Sequence, residues 1–521
     1  MKNILKTLPL ALIVMSIYSC TSDEETVQDA NDNSSVVTTF TCTQENDGTA
    51  TKAALDSDSK TIMWKTGDAI SIFDGAGNKQ FTLKAESDGQ KSGSFTGTCN
   101  ESDSYVAVYP YTEEAQLNGN EVTGVTLPDE QKAVDNGFDP KAALMIAKSE
   151  TTTLTFKNAV GFIKVTPQFN CKKIILRAAN KTQPLAGKGK INFTDPEKPY
   201  IDFTGSTELS YSITLSGTIT SGNAYYIAVP AVTLSENWTL TFVTENKNYM
   251  RQVANPITFV RSKALNLGTF STSDGKWVGS SGIVSSGQEV DLGLTIEQDG
   301  KKYKVKFAKS NLTATGLAAN ESDFGDYFAW AATDPWLTSY TYDGIGDDDT
   351  SFTNRTWKTG KSEDGYRIKN APYSNRYLDY DKYDKTDNTL KAADDAANVI
   401  LGGDWQLPTK EIWVALNDPN TVKWGRDGDN KLEPISGIKG MKITKNGEPG
   451  TYIFLPAAAY VEKYWYNQVG SFGYYWSGTA YSSKSAYYLN FTTINVNVQY
   501  YGERYKGVSV RPVRLVAAVN P

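Results

Sequence analysis

The sequence predicts a multidomain, mainly β protein in which two β-sandwiches in series precede an α+β domain. Three observations predict it. From Val36 to about residue 270 the chain is a succession of short alternating strands separated by turn residues. Residues 271–288 then form a Gly/Ser-rich break. Beyond the break two helix signals precede a return to strands, and 21 of the 30 tyrosines and 8 of the 11 tryptophans lie after residue 288. A length of 521 residues is enough for several such domains, each with its own core.

Residues 1–20 carry Lys2 and Lys6, an apolar run from about Leu8 to Ile17, and Ser19-Cys20. The run is shorter than the ~20 residues a membrane span needs, so it reads as a secretory signal. Ile17-Tyr18-Ser19-Cys20 resembles a lipobox, with Tyr18 an unusual member, which implies cleavage before a lipidated Cys20. The plainer alternative is an ordinary signal peptide cut near Ser19. Residues 21–35 begin Thr21-Ser22-Asp23-Glu24-Glu25 and read as a polar, solvated tether. They resemble the acidic surface-export signal of Bacteroidetes lipoproteins, which implies a lipid anchor in the outer membrane and a cell-surface location; a mere linker is the alternative.

Composition narrows the chemistry. A net charge of −7 argues against nucleic acid or an anionic membrane surface as partner. The chain has no histidine, which removes Ser-His-Asp and Cys-His catalysis and every His-containing metal site. Cysteines stand only at 20, 42, 99 and 171, too scattered for a zinc or iron-sulfur pattern. One disulfide among Cys42, Cys99 and Cys171 is open, and the spacing does not choose the pair. Catalysis would rest on carboxylates, as in glycoside hydrolysis, yet no arrangement singles out a pair. The expectation is therefore a binding protein with no cofactor and no enzymatic activity.

In the first sandwich, residues 36–160, Val36 to Thr43 alternates as a strand and Glu45-Asn46-Asp47-Gly48 reads as a turn. Thr61 to Trp64, Ala69 to Phe73 and Tyr105 to Tyr109 continue the pattern around the Gly67-Asp68 and Asp74-Gly75-Ala76-Gly77 turns, with Pro110 at a strand end. Residues 161–270, which include Phe162 to Val165, form the second sandwich. Trp64-Lys65-Thr66-Gly67-Asp68, Tyr109-Pro110-Tyr111, Leu127-Pro128 with Gln131, and Phe156-Lys157-Asn158 occur in an order that resembles the fimbrillin family of Bacteroidales type V pilins. The resemblance implies transthyretin- or Ig-like sandwiches and a first strand that proteolysis removes, so that a strand of the next subunit fills its place. The cut follows a basic residue in the family. Lys52 is the only one between Lys6 and Lys60, so it is the candidate, although family members often present arginine.

Residues 271–288 read as a linker with little to bury, residues 289–516 as the α+β domain and 517–521 as a tail. Leu390, Ala393, Ala397 and Ile400 mark a short helix ended by Gly402-Gly403, and Thr409 is placed to N-cap a second. Strands return from Tyr452 to Leu515. In the last hairpin Leu489, Phe491, Ile494, Val496 and Val498 are expected inside. Asp394-Asp395-Ala396-Ala397, Gly403 to Glu411, Phe454-Leu455-Pro456-Ala457-Ala458, Tyr475-Trp476-Ser477 and Gly507 to Val513 resemble the C-type lectin-like fold of the Fibrobacter succinogenes major paralogous type. These motifs read as scaffold. Formylglycine-generating enzymes share that broad fold but use catalytic cysteines, which this domain lacks. Residues 480–503 are rich in Tyr, Ser and Asn, which suits an adaptable recognition surface. They also resemble the variable region of retroelement-diversified proteins. Tyr481, Tyr487, Tyr488, Asn490, Asn495, Asn497, Gln499, Tyr500 and Tyr501 are the candidate binding face. Asp343, Asp347 and Asp349 form a weak calcium candidate whose spacing does not match an EF-hand.

A pilin-like half followed by a lectin-like half implies a pilus tip adhesin, with neighbouring pilins and an unknown glycan or protein ligand as partners. A surface glycan-binding lipoprotein that never polymerises is the first alternative, and a carboxylate-based glycoside hydrolase the second.

Overall fold

Phe40 and Cys42 are buried while Thr39 and Thr41 are exposed along the first strand, Val36–Gln44, so period-two alternation assigns one face to a core. That strand belongs to a computed structural model that describes residues 35–45, 63–75, 77–245, 247–298, 300–335, 337–342, 352–357, 388–425, 432–462, 465–466 and 469–518. The molecule is mainly β, built from many sheets with few helices.

Seven strands close the first core: Val36–Gln44, Thr153–Asn158, Met145–Ser149, Tyr105–Tyr109, Ala69–Phe73, Asn78–Leu83 and Gly93–Cys99, the last returning to the first. The sandwich expected from the sequence is thus a closed ladder here. Val36–Gln44 completes it, antiparallel to Gly93–Cys99 and parallel to Thr153–Asn158. Trp64 fills the centre, edge-on to Phe95, Tyr109 and Phe156, and its Nε1 donates to the Cys42 carbonyl at 3.2 Å. Residue 93 must be glycine beside it, because a Cβ there would lie 2.7 Å from the indole.

The second core lies between a three-stranded sheet (Tyr225–Pro230, Val160–Pro167, Ala264–Phe270) and a five-stranded one. The latter runs Asn248–Val253, Trp238–Val243, Cys171–Arg177, Ser212–Ile219 and Glu130–Lys132. Glu130–Lys132 precedes the barrel's last two strands in sequence, as does Glu121–Leu127, which pairs with Ala186–Asn192. The two halves are therefore interleaved. Gln131 fixes the crossing: its amide donates to the Ala228 carbonyl and accepts from the Ala228 N–H, both at 2.9 Å.

Cys42, Cys99 and Cys171 are free and buried, so the disulfide left open by the sequence does not form. Geometry explains this for the first two. Cys42 faces Gly93 and Cys99 faces Val36 on the same ladder, so six residues, roughly 20 Å, separate them. Burial pushes the Cys171 thiol up to about 12 and holds Cys42 higher still.

In the C-terminal part, Glu289–Val290, Lys301–Ala308, Val513–Ala517 and Trp405–Gln406 form one sheet, with Thr295–Gln298 on Lys301–Ala308. Gly473–Ala480, Ser485–Phe491 and Val496–Glu503 form another. The first helix is Ala396–Leu401, shorter than expected because residues 392–394 are a 3-10 turn. Gly402 and Gly403 end it at φ 71° and 59°. The second helix is Lys410–Ala415; Thr409 takes the N-cap position without bonding, and Thr479 Oγ1 accepts from the Lys410 N–H at 3.0 Å.

Most of the motif residues are buried, among them Trp405, Phe454, Tyr475, Trp476 and Arg511. Trp476 Nε1 donates to Phe328 O at 2.8 Å, Tyr475 Oη to Pro456 O at 2.7 Å, and Trp405 Nε1 to Ser281 O at 2.8 Å. Arg511, fully buried, donates to Asn311 Oδ1 and to the carbonyls of Ala308, Lys309 and Phe454 at 2.7 to 3.2 Å. Burial lowers this guanidinium to about 10, which leaves it charged at neutral pH.

Residues 271–288 depart from the expected linker. Trp277 packs among Phe169, Phe242, Tyr249 and Phe270, with the Arg251 guanidinium 4.6 Å from its ring centroid. Ser280 O accepts from the Asp404 N–H at 2.9 Å, and Ile283 N–H donates to Leu401 O at 2.8 Å. Small residues let this segment approach Gly403 closely, where a Cβ would lie 2.4 Å from Ser280 O. Further polar contacts join the halves. Buried Arg177 donates to Ala314 O at 2.5 Å and lies 3.6 Å from Asp334, while Lys181 pairs with Asp326 at 2.5 Å.

Candidate functional site

The tyrosines of residues 480–503 arise from the last hairpin, Ser485–Phe491 with Val496–Glu503. Its ladder pairs Tyr487 with Tyr501 and Tyr488 with Tyr500, then slips so that Asn490 faces Asn497. That slip adds one residue to Val496–Glu503, which is the outer strand of its three-stranded sheet.

Both faces of Ser485–Phe491 are covered at its centre, Leu489 in one core and Tyr488 in the other. Tyr488 is buried at 6% exposure, packed on Trp476 and Tyr474, and is removed from the expected outward set. Ile494, expected inside, is 75% exposed in the connecting turn. Tyr481, Tyr500 and Tyr501 are exposed as expected, each near half. Asn495 and Gln499 are also exposed, whereas Tyr487, Asn490 and Asn497 are half-buried. Two of the amides serve the backbone: Asn490 Nδ2 donates to Gly473 O at 3.2 Å, and Asn497 Oδ1 accepts from the Gln499 N–H at 2.9 Å.

The rings form a connected series around the outer strand. Tyr460 lies 5.0 Å from Tyr474, Tyr474 5.3 Å from Tyr488, and Tyr488 5.5 Å from Tyr500. Tyr500 lies 6.1 Å from Tyr501, which stacks on Tyr481 at 3.9 Å, and Tyr481 lies 5.3 Å from Tyr487. A lysine stands at each end: Lys506 Nζ is 4.5 Å from the Tyr460 centroid and Lys410 Nζ is 5.1 Å from that of Tyr487. Tyr460, Tyr474, Lys410 and Lys506 were not singled out in the sequence. Tyr474 sits next to the scaffold pair Tyr475-Trp476, and the alternation of that strand was the available signal.

Hydrogen bonding to Tyr501 holds Tyr481 above its ordinary value, burial pushes Tyr474 up to about 12, and burial raises Tyr488 further. Such a surface offers exposed ring faces and hydroxyls, with amides nearby. It can stack against the apolar face of a sugar or an aromatic side chain and bond to its rim.

The other candidate residues divide. Cys20, Lys52, Asp343, Asp347 and Asp349 lie outside the described residues. Among the described residues no cluster of three or more Cys, Asp or Glu side chains is placed to hold a metal. Buried Asp395 is committed to scaffold, accepting from the Asn398 and Leu407 N–H groups at 3.1 and 2.8 Å.

No family model matches the chain, and no curated protein matches it. Solved structures do. A candidate cell adhesion protein from Bacteroides uniformis is similar at 20% identity over 40% of this chain and 89% of its own, with a TM-score of 0.29. One from Bacteroides ovatus is similar at 12% identity over 47% and 95%, with a TM-score of 0.30. A fimbrial protein from Bacteroides ovatus is similar at 13% identity over 92% and 99%, with a TM-score of 0.21. At these identities and TM-scores the likenesses assign neither ligand nor partner, and the chain stands as a mainly β, many-sheeted protein with a band of tyrosines on and around the sheet of Gly473–Ala480, Ser485–Phe491 and Val496–Glu503.

Proposed function

We propose that the chain is a fimbrial tip adhesin of the cell surface: exported as a lipoprotein through Cys20, joined to a neighbouring subunit by strand exchange, and binding a surface ligand through its C-terminal part. The observation that carries this reading is the unequal placement of the first and last strands. Val36–Gln44 completes a closed ladder and is tied to the remainder through two strand edges. Val513–Ala517 is enclosed between Lys301–Ala308 and Trp405–Gln406, so it cannot be lent to a neighbour without dismantling its own sheet. Such a subunit is placed to accept a strand but not to lend Val513–Ala517, which suits the end of a fibre. The role is binding rather than catalysis, with Tyr481, Tyr500 and Tyr501 as the exposed contacts.

Mass spectrometry of surface-shed protein tests the reading. A mature N-terminus at Ala53 is expected, and a persistent lipidated Cys20 on all surface copies would sink it in favour of a non-polymerising glycan-binding lipoprotein. The tyrosine band fits either case. Probing glycan and matrix-protein arrays with the full chain identifies the ligand class, and release of reducing ends from a polysaccharide would overturn the non-catalytic role.

A further inference from the structure

The residue that follows the first strand is bound more elaborately than a strand end requires. Glu45 continues the ladder through its N–H, which donates to Phe156 O at 2.8 Å. Its carboxylate is turned inward. Oε1 accepts from Arg261 Nη2 at 2.5 Å, Ser262 Oγ at 2.6 Å, and the N–H and Nδ2 of Asn158 at 2.8 and 3.1 Å. Oε2 accepts from Arg261 Nη2 at 2.6 Å. Burial acts to raise this carboxyl, but the bonds from Ser262, Arg261 and Asn158 outweigh it and hold the group below its usual value.

All the donors come from outside the first strand, and other contacts fix them. Asn158 and Ser262 are 1% and 0% exposed. Arg261 Nε donates to Asn158 O at 2.8 Å, which orients the guanidinium. Ser262 takes a left-handed φ of 61° and its N–H bonds Val160 O at 2.9 Å. Gly161 lets the 260–263 turn press against the strand, since a Cβ there would lie 2.4 Å from Val260 O. A strand lacking an acid at this place would take the shared acceptor from the buried Asn158 and Ser262 and from the half-buried Arg261 charge, which is costly.

We propose that Arg261, Ser262 and Asn158 form a carboxylate-reading pocket that sets the register of whichever strand fills the groove between Gly93–Cys99 and Thr153–Asn158. Resting on the strand-exchange reading above, this defines the neighbour's strand. It runs parallel to Thr153–Asn158 and carries a large apolar residue at the place of Phe40, a small one at that of Cys42, and Asp or Glu at that of Glu45. The chain's own last strand, Val513–Ala517, contains no acid and does not match this description.

The test uses the full chain with a protease recognition sequence in place of residues 49–54. After cleavage, fluorescent ten-residue peptides matching positions 36–45, ending in Glu or Gln, compete for the groove. The Glu peptide is expected to bind at least about tenfold more tightly than the Gln peptide. Arg261→Met should erase that ratio while leaving the Gln peptide within about twofold. Equal binding to the unmutated protein, or a ratio that survives Arg261→Met, overturns the pocket. If neither peptide enters, strand exchange fails, and the pocket is judged on the uncut chain. There Glu45→Gln should speed hydrogen exchange across residues 36–45 by about tenfold or more, and unchanged exchange overturns it.

Discussion

The first and last strands of this molecule are both short, apolar on one face and paired on two sides, yet they are held by different means. Val36–Gln44 is held by two ladders, by Phe40 against Phe81 and Tyr105, and by one carboxylate at its end. Val513–Ala517 follows Arg511, whose guanidinium reaches four acceptors inside its own domain. The first strand's extra hold is a single side chain at its tip, and the last strand's is buried at its root. A strand fixed at its tip can be released by one event, whereas one rooted in a core leaves only when the core opens.

The strongest way to break this comparison is at the root. Arg511→Met takes the donor from four neutral acceptors, three of them on buried residues, and should cost ~3 kcal/mol or more, read as early melting of the C-terminal part by near-ultraviolet circular dichroism. Hydrogen exchange across 36–45 should be unaffected; equal deprotection of both ends would make them one cooperative unit. Phe40→Ala removes a fully buried ring and should cost about 3–5 kcal/mol, with faster exchange confined to the barrel and none across 513–517.

The two ends should also answer acid oppositely. Burial pushes the Asp395 carboxyl up to about 6, above its unfolded value, so its contribution is full below ~4 and is lost as pH rises through 6. The C-terminal part should therefore gain up to about 3 kcal/mol between pH 7 and 4, a gain that Asp395→Asn flattens. Glu45 lies below its unfolded value, so its contribution is present above that value and lost as pH falls through the lower, folded one. Hydrogen exchange at stepped pH separates the two. The smallest effect on folding is expected at Tyr501→Ala, within about 0.5 kcal/mol because the ring is half exposed. Array binding should nevertheless fall sharply, and full retention would remove this band from the binding face.

Alternation made the strands Val36–Gln44 and Ala69–Phe73 legible, with Gly67 and Gly75 flanking the second, whereas Met63 and Trp64, read as the end of a strand, belong to none. The hairpin was legible on one face only. Alternation from Leu489 puts Tyr488 outside, but the strand is covered on both sides here, Leu489 in one core and Tyr488 in the other, and Ile494 falls in the connecting turn, where alternation does not carry over. The 271–288 segment was misread for a related reason. Its glycines and serines look like slack, but here they permit close approach, and Trp277 is the anchor that composition overlooks. The Glu45 and Arg261 pairing spans 216 residues and has no local pattern at all. Long-range polar partners follow from topology, which a single sequence does not print.

The packed segment at 271–288 also bears on mechanics. A tug on the tyrosine band does not travel down one slack length of chain. It is shared in parallel between Trp277, the Arg177 contact with Ala314 and the Lys181 contact with Asp326. Bonds in parallel must fail together, so the two blocks should move as a stiff arm under load.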